Sequence, residues 1–129
     1  MRIELAFEDI WPPTTNLIWR AGGRNGHAMH LSAAATRFRT AVANAILIER
    51  SFRKIPPGQL DGDLSVEIRF MPPDARRRDI DNPIKSVLDA MTHAGLWWDD
   101  SQIKRLLVVM CAPAKDRKGF ELVVEELNG

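Results

Sequence analysis

Two stretches of the chain alternate apolar and polar residues in the manner of half-buried β-strands. Residues 2–8 read RIELAFE and residues 64–73 read LSVEIRFMPP, and in both an apolar side chain recurs at every second position. A period of two turns alternate side chains to one face, so each stretch predicts a strand with one side in the core. Two further β-rich runs, IKRLLVVMCA and FELVVEEL, are separated by PAKDRKG, and we expect them to form an antiparallel pair.

Two other stretches have the spacing of amphipathic helices. The first follows Ser32, a residue suited to an N-cap, and ends before Pro56. Its apolar stripe has a spacing of three and four residues and consists of Phe38, Ala41, Val42, Ala45, Ile48 and Phe52. The second helix is predicted to start at Pro83, with Asn82 as its N-cap, and to end at Gly95, where a left-handed residue is expected.

The order of these elements is strand, helix, strand, helix, strand, strand. It predicts an α/β protein of the α+β type, with a mixed sheet of about four strands packed against two main helices. The region between the first strand and the first helix is rich in Pro, Gly and Asn, and it is interpreted as a loop with at most a small hairpin at RNGH. Because 129 residues suffice for one core but not for two, we expect a single domain over residues 1–129.

The composition is that of an ordinary globular protein, with 45% apolar and 27% charged residues. A single cysteine, Cys111, excludes an internal disulfide and a cysteine-rich zinc site, which favours a reducing compartment. The start of the chain is charged, and no run of about 18 apolar residues occurs, so no membrane span is expected. These features together predict a soluble, cytoplasmic protein.

The charge is distributed unevenly, although the net charge is only +1. Residues 17–54 contain seven basic residues and one acidic residue, whereas both ends of the chain are acidic. A basic block of this kind attracts polyanions such as nucleic acid. A solvated helix face has the same composition, so charge alone leaves both interpretations open.

The stretch RRRDIDNPIK, residues 76–85, is the first candidate for chemistry. If residues 79–81 are extended, Asp79 and Asp81 point to the same side while Ile80 points to the core. Two nearby carboxylates repel unless a cation lies between them, and Mg²⁺ or Mn²⁺ is the cation that oxygen ligands favour. The alternative is that both aspartates form salt bridges with Arg76–Arg78 and cap the helix.

Lys85 follows Asp81 by four residues, in the first turn of the predicted second helix. Its ammonium group could contact a phosphate and stabilise charge that develops there, and the helix N-terminus would act in the same direction. The alternative is a surface ion pair with Asp81 or Asp89.

The stretch GLWWDDSQI supplies a second pair of carboxylates, Asp99 and Asp100. Adjacent residues on extended chain face opposite sides, so at most one of the two is expected to join Asp79 and Asp81, and the other is expected to cap a turn. Trp97 and Trp98 are interpreted as core or interface residues that fix where these aspartates point.

The stretch RRRDIDNPIKSVLDAMTHAGLWWDDSQI resembles the RusA-type Holliday junction resolvases, which are small dimeric endonucleases. The arginine run, D-x-D-N, the lysine four residues past the second aspartate, "DA", "AG" and W-x-D-D keep the order and spacing of that family. The WPPTTN loop and the HLS lead into a helix extend the resemblance over nearly the whole chain. Pro83 departs from the family pattern and should be tolerated as a first helical residue.

The resemblance implies roles for individual residues. Asp79, Asp81 and Asp100 would be the catalytic carboxylates that coordinate the metal, Asp99 the other aspartate of the pair, and Lys85 the essential lysine. Arg76, Arg77 and Arg78, with Lys85, would contact DNA. The implied reaction is paired, symmetric incision of a four-way DNA junction by a homodimer, with Mg²⁺ or its substitute Mn²⁺ and no small-molecule cofactor.

Two alternatives are left open by the sequence. One is a junction-binding or architectural protein that has lost catalysis, with the basic block as its binding surface. The other is a D-x-D sugar-nucleotide enzyme, for which the chain is too short to hold the usual nucleotide-binding domain.

Overall fold

A computed structural model describes residues 1–13, 19–22, 28–114 and 116–127. Its strands and helices are β1 (Arg2–Glu8), β2 (Trp19–Gly22), β3 (Ala28–Leu31), α1 (Ala33–Ser51), β4 (Leu64–Met71), α2 (Ile84–Ala94), β5 (Ile103–Met110) and β6 (Gly119–Glu126). Four strands form one mixed sheet in the order β1-β6-β4-β5, while β2 and β3 form a separate antiparallel hairpin. The predicted fold class is confirmed, and the hairpin lies on either side of RNGH, where the sequence allowed a small one. The turn predicted at residues 24–27 and the TTN part of the early loop, residues 14–16, lie outside the described residues.

The predicted pairing of the last two strands is wrong. β6 lies between β1 and β4 and is antiparallel to both, whereas β5 is parallel to β4 at the edge of the sheet. A parallel pair needs a crossover connection, and α2 supplies it between β4 and β5. The short linker before β6 therefore does not make a hairpin. β6 has alternating buried residues, and such a strand is more stable in the centre of the sheet.

The core lies between the sheet and the two helices. The predicted inward residues of β4, Leu64, Val66, Ile68 and Phe70, are all fully buried. The buried face of α1 is formed by Ala35, Phe38, Val42 and Ile46. Ile48 and Phe52 are exposed instead of buried, since the helix carries apolar residues on more than one face and Phe52 follows its last residue. Among the described residues, no helix has both the length and the apolarity to cross a membrane.

The C-terminal end of α2 is fixed against α1. Gly95 adopts the predicted left-handed conformation, with φ of 78°, and its amide donates to carbonyl oxygens of the last helical turn. The Arg50 guanidinium, from the end of α1, donates to the Gly95 carbonyl oxygen at 2.7 Å and to the Pro56 carbonyl oxygen at 3.0 Å. These bonds fix the direction in which the chain continues toward the tryptophan and aspartate pairs.

Candidate active site

Asp79 and Asp81 lie on the loop that leaves the C-terminal end of β4 and leads into α2. The Asn82 amide donates to the Asp79 carbonyl oxygen at 3.2 Å, so a tight turn and not an extended segment carries the two aspartates. Both residues are exposed to solvent. Ile80 was predicted to point into the core, but 46% of its surface is exposed, so that prediction is wrong. The turn removes the side-chain alternation on which the prediction rested.

The start of α2 also differs from the prediction. The first helical residue is Ile84, and Pro83, with a helical backbone conformation and no side-chain capping bond, occupies the N-cap position. The assignment of Asn82 as the N-cap is therefore wrong, because the turn over residues 80–83 already leads the chain into the helix. Pro83 is buried, and Lys85 becomes the second residue of the helix, still within its first turn.

Lys85 makes an ion pair within its own helix. Its Nζ atom lies 2.9 Å from Asp89 Oδ1, one turn further along, which selects Asp89 over Asp81 as its partner in this structure. The Lys85 side chain is 66% exposed, so its ammonium group is accessible to a phosphate, whereas the Asp89 side chain is only 19% exposed. Exchange of Asp89 for a phosphate on Lys85 therefore leaves a largely buried carboxylate without this partner.

The arginine run is organised by an aspartate that precedes it. Asp74 Oδ1 accepts hydrogen bonds from the Arg76 amide at 2.9 Å and from Arg78 Nη2 at 2.9 Å. The hydrogen bond from the Arg76 amide, and to a smaller extent that from the Arg78 guanidinium, holds the pKa of the Asp74 carboxyl below its usual value. Arg78 also stacks over the Trp11 ring at 5.5 Å, and Trp11 contacts the buried Phe70 edge-on. The loop before Asp79 is thus tied to the end of β4.

The three arginines consequently differ in how available they are to a ligand. The Arg78 side chain is only 20% exposed, and both of its Nη groups donate to Asp74 in the loop. The Arg76 side chain is 83% exposed, and its Nη2 atom lies 3.4 Å from Asp74 Oδ2. Arg77 is also exposed. Arg76 and Arg77 are therefore the members of the run that face solvent beside the two aspartates.

Asp99 and Asp100 have different positions, as their adjacency predicted. Asp99 caps a short 3₁₀ turn, Asp100–Gln102, and accepts from the Ser101 amide at 2.9 Å, so the expectation that one of the pair caps a turn is confirmed. The Gln102 side-chain oxygen accepts from the Asp99 amide at 3.0 Å, and its nitrogen donates to the Leu60 carbonyl oxygen at 2.9 Å. Gln102 therefore fixes the turn to the loop before β4.

Asp100 is held by a chain of hydrogen bonds from the core. The Trp97 indole nitrogen lies 2.7 Å from Thr92 Oγ1 and 3.1 Å from Asp100 Oδ1, and Trp97 is fully buried. Thr92 Oγ1 lies 2.5 Å from Asp100 Oδ1. The Thr92 hydroxyl has a single proton to donate, and the charged Asp100 carboxylate is its preferred acceptor. Since these contacts all use Oδ1, the second oxygen, Oδ2, is the one that can bind a ligand.

The structure brings together some of the predicted site residues and separates one. Asp79, Asp81 and Lys85 lie at the N-terminal end of α2, whereas Asp100 bonds to Thr92 near its C-terminal end. Thr92 lies about 12 Å along the helix axis from Ile84, so Asp100 is held toward the opposite end of α2 from the loop of Asp79 and Asp81. Among the described residues, no three acidic, histidine or cysteine side chains are placed to hold a metal ion together.

Three residues that shape this site were missed by sequence reasoning. Asp74, Thr92 and Gln102 each act through hydrogen bonds to a neighbouring candidate residue. Asp74 had a detectable signal, because an aspartate two residues before an amide in a Pro-rich loop commonly accepts from it. Gln102 had one too, since it follows Asp99 by three residues, which is the spacing of a capping box. Thr92 had no comparable signal.

The similarity to known proteins extends over nearly the whole chain. A family model described as "Endodeoxyribonuclease RusA" matches residues 10–125. The chain is 34% identical over 122 residues to the crossover junction endodeoxyribonuclease RusA of Escherichia coli strain K12, which covers 92% of this chain and 91% of that protein. The protein of the same name from Enterobacteria phage 82 is 35% identical over 118 residues, with the same coverage of both chains. This chain therefore belongs to the RusA endodeoxyribonuclease family.

Proposed function

We propose that this protein is a structure-selective endodeoxyribonuclease that resolves four-way DNA junctions by paired, symmetric cuts. The observation that carries the proposal is the grouping of Asp79, Asp81 and Lys85 at one exposed helix start, in a chain that matches the RusA family over residues 10–125. The relatives from Escherichia coli and phage 82 are named as crossover junction endodeoxyribonucleases. A DNA junction is accordingly the substrate that we assign to this chain.

The residues at the site fit a divalent cation, Mg²⁺ or its substitute Mn²⁺. Asp79 and Asp81 are exposed carboxylates two residues apart on a turn. Mg²⁺ in proteins is usually held by one or two carboxylates together with water and substrate phosphate, and this pair supplies that number. When bound, the ion supplies Lewis-acid activation of the scissile phosphate and of a water molecule.

The other residues of the loop bind and orient the DNA backbone. The amide groups at the start of α2 and the Lys85 ammonium present positive charge beside the two aspartates, where a phosphate carries its negative charge. Lys85 exchanges Asp89 for the phosphate and offsets the charge that grows on it during cleavage. Arg76 and Arg77 contact phosphates that flank the scissile one.

The active form is proposed to be a homodimer in which each site uses two chains. Asp100 lies at the far end of α2 from Asp79 and Asp81, yet its carboxylate is held in one orientation by Thr92 and Trp97. A two-fold axis lets Asp100 of each copy complete the site of the other copy. It also provides one site for each of the two strands that a symmetric resolution must cut.

The proposal is tested by incubating purified protein with a synthetic four-way junction. We expect paired cuts in strands of like polarity with Mg²⁺ or Mn²⁺, no cuts with EDTA, and no cuts in a linear duplex of the same sequence. The junction-binding alternative predicts a shifted band on a native gel without nicking across the whole metal series, and that result would overturn the assigned activity.

Replacing Thr92 by Val is expected to weaken metal binding and cleavage by about 10-fold, the lower end of what loss of an outer-shell partner costs. Valine has nearly the shape of threonine but cannot donate to Asp100 Oδ1, so the carboxylate loses the bond that orients it. Mn²⁺ affinity of the DNA-free protein measured by calorimetry, beside the cleavage rate measured separately, checks this prediction. Thr92→Ser keeps the hydroxyl and should restore both values; equal Mn²⁺ affinity in the Val and Ser variants would contradict it.

A further inference from the structure

The C-terminal end of α1 contains an arginine in a backbone conformation that arginine rarely adopts. Arg53 has φ of 59°, which lies in the left-handed region. Its amide donates to the Arg50 carbonyl oxygen at 2.9 Å, and the next amide, that of Lys54, donates to the carbonyl oxygen of Glu49 at 3.0 Å. These two bonds form a Schellman motif, whose left-handed position is usually glycine because a Cβ atom is strained there. The end of α2 follows that rule with Gly95, so α1 is the exception.

Arg53 lines a cavity beside the start of β1. The cavity has a volume of about 560 Å³, within the roughly 300 to 1,000 Å³ that is usual for ligand sites. Among the described residues that line it, the charged ones are all basic: Arg2, Arg50, Arg53 and Lys54. The rest of the lining is apolar and includes Ile3 and Ile55. The cavity therefore suits a ligand that has both negative charge and an apolar group.

Three of the four basic groups are not neutralised by a close carboxylate. The Arg50 guanidinium donates to backbone carbonyl oxygens, which have no net charge. Lys54 Nζ lies 3.9 Å from Glu49 Oε2, a long ion pair. Arg53 is exposed, and in the part of the chain that the structure describes its side chain has no hydrogen-bond or ion-pair partner. Only Arg2 is neutralised, by two glutamates on the sheet.

Basic residues near a helix C-terminus have an ordinary explanation, because they interact favourably with the helix dipole. That explanation accounts for Arg50 and Lys54. It does not account for Arg53, since glycine at the left-handed position would relieve the strain and keep the same backbone bonds. Strained residues of this kind are concentrated at functional sites. The conformation of Arg53 therefore indicates a role for its side chain.

The cavity is separated from the candidate active site of the same chain. β1 and β4 are both antiparallel to β6, so they run in the same direction. The cavity lies where β1 starts, whereas Asp79 and Asp81 follow the end of β4. Asp100 precedes β5, which is at the other edge of the sheet. A ligand in the cavity is therefore distinct from the phosphate that is to be cut.

Apolar surface extends along α1 up to Arg53. Leu47, Ile48 and Phe52 are 63%, 54% and 70% exposed. Contacts to DNA phosphates use basic and hydrogen-bonding groups, so this surface and the apolar lining of the cavity give nothing to them. Exposed apolar patches with a polar rim are instead typical of sites that bind another protein. An acidic segment of a polypeptide with an apolar side chain matches both the charge and the apolar surface.

We propose that the cavity beside Arg53 binds a partner protein through an acidic segment that contains an apolar side chain. The apolar side chain packs against the apolar lining, and Arg53 and Lys54 bond to the neighbouring carboxylates. This interaction goes beyond the nuclease activity and does not depend on it, because none of these residues belongs to the candidate active site.

Selection of peptides on the full chain tests this proposal. A random library of twelve-residue peptides displayed on phage is selected on immobilised wild-type protein, and the enriched peptides are sequenced. We expect peptides in which leucine, isoleucine or phenylalanine is flanked by aspartate or glutamate. The affinity of one labelled peptide is then measured by fluorescence anisotropy. Replacing its acidic residues with amides, or its apolar residue with serine, should weaken binding by about 10-fold or more.

Arg53→Gly separates the proposed role from a structural one. Glycine removes the side chain and relieves the left-handed strain, so the melting temperature should not fall. We expect peptide binding to weaken by about 10-fold, while junction cleavage is unchanged. Arg37→Ala is the matched control, because it removes the same charge from the exposed face near the start of α1. Its peptide affinity should stay within about twofold of the wild type, since a distant charge is screened.

Four results would overturn the proposal. Selection that enriches no acidic peptides would show that the cavity has no such ligand, and equal peptide affinity of Arg53→Gly and the wild type would exclude Arg53. Equal losses in Arg53→Gly and Arg37→Ala would indicate attraction by net charge alone. A lower melting temperature of Arg53→Gly would show that the arginine stabilises the helix end and would remove the basis of the proposal.

Two further outcomes concern DNA. Weaker junction binding by Arg53→Gly, with peptide binding unchanged, would assign this surface to DNA and refute the protein partner. Wild-type protein that binds the acidic peptide through Arg53 but never cuts a junction supports the partner site and refutes the nuclease. Failure of this proposal and failure of the proposed function are thus distinguishable.

Discussion

Replacing Asp81 by Asn is expected to lower the rate of junction cleavage by about 1,000-fold or more. A metal bound by this carboxylate contributes several kcal/mol of charge stabilisation in the transition state, and each 1.36 kcal/mol changes a rate by about tenfold. Asparagine keeps the size of the side chain but removes the charge, so the exposed turn at residues 79–82 should retain its shape. The measurement is single-turnover cleavage of a labelled four-way junction at saturating protein, with Mg²⁺.

Binding and stability separate this effect from damage to the fold. Junction affinity without metal should be equal to or higher than that of the wild type, because the variant has one negative charge fewer beside the DNA phosphates. Asp63→Asn, an exposed aspartate in the loop before β4, is the matched control and should cleave at the wild-type rate. Full cleavage activity of Asp81→Asn would show that Asp81 is not part of the active site.

Joining two inactive chains in one dimer is expected to restore cleavage when each chain lacks a different part of the site. One chain contains Asp81→Asn and the other contains Asp100→Asn, and two affinity tags allow the mixed dimer to be isolated. If Asp100 serves the partner, one site has both defects and the other has none. A two-fold dimer then keeps one of its two sites, so junctions are nicked at about half the wild-type rate per dimer, without the paired second cut.

The control is a mixed dimer of Asp81→Asn with Asp79→Asn. Both substitutions lie on the same loop, so each of its sites contains one defect whichever chain supplies Asp100. This dimer should be as inactive as either parent. The absence of nicking by the Asp81→Asn and Asp100→Asn mixed dimer would show that Asp100 does not act across the two chains, and it would not test the proposed metal role of Asp79 and Asp81.

Elements whose signal is contained in a short stretch of sequence were predicted well. The alternation of β4 was confirmed by the full burial of its inward residues, and the end of α2 was confirmed by the left-handed Gly95. The separate directions of Asp99 and Asp100 followed from their adjacency alone. In each example, backbone geometry over a few residues decides the result, and tertiary contacts reinforce it.

The features that were not predicted depend on parts of the chain that are distant in sequence. The run between β5 and β6 favours a hairpin locally, but β6 gains two neighbours by entering between β1 and β4. Ile80 was placed in the core because an extended segment was assumed, whereas the proline after Asn82 and the helix start favour a turn. The distance between Asp100 and the other aspartates follows from the parallel crossover, which no local pattern specifies.

The position of β6 has a consequence for how the protein is made. β6, Gly119–Glu126, is synthesised after β1, β4 and β5, yet it lies between β1 and β4. While the ribosome still covers this segment, β1 and β4 have no strand between them, so no strand lies beside both of their apolar faces. Contacts between the two ends of a chain form slowly because a long loop must close first. The sheet is therefore completed as a late step, after residues 119–126 have emerged from the exit tunnel.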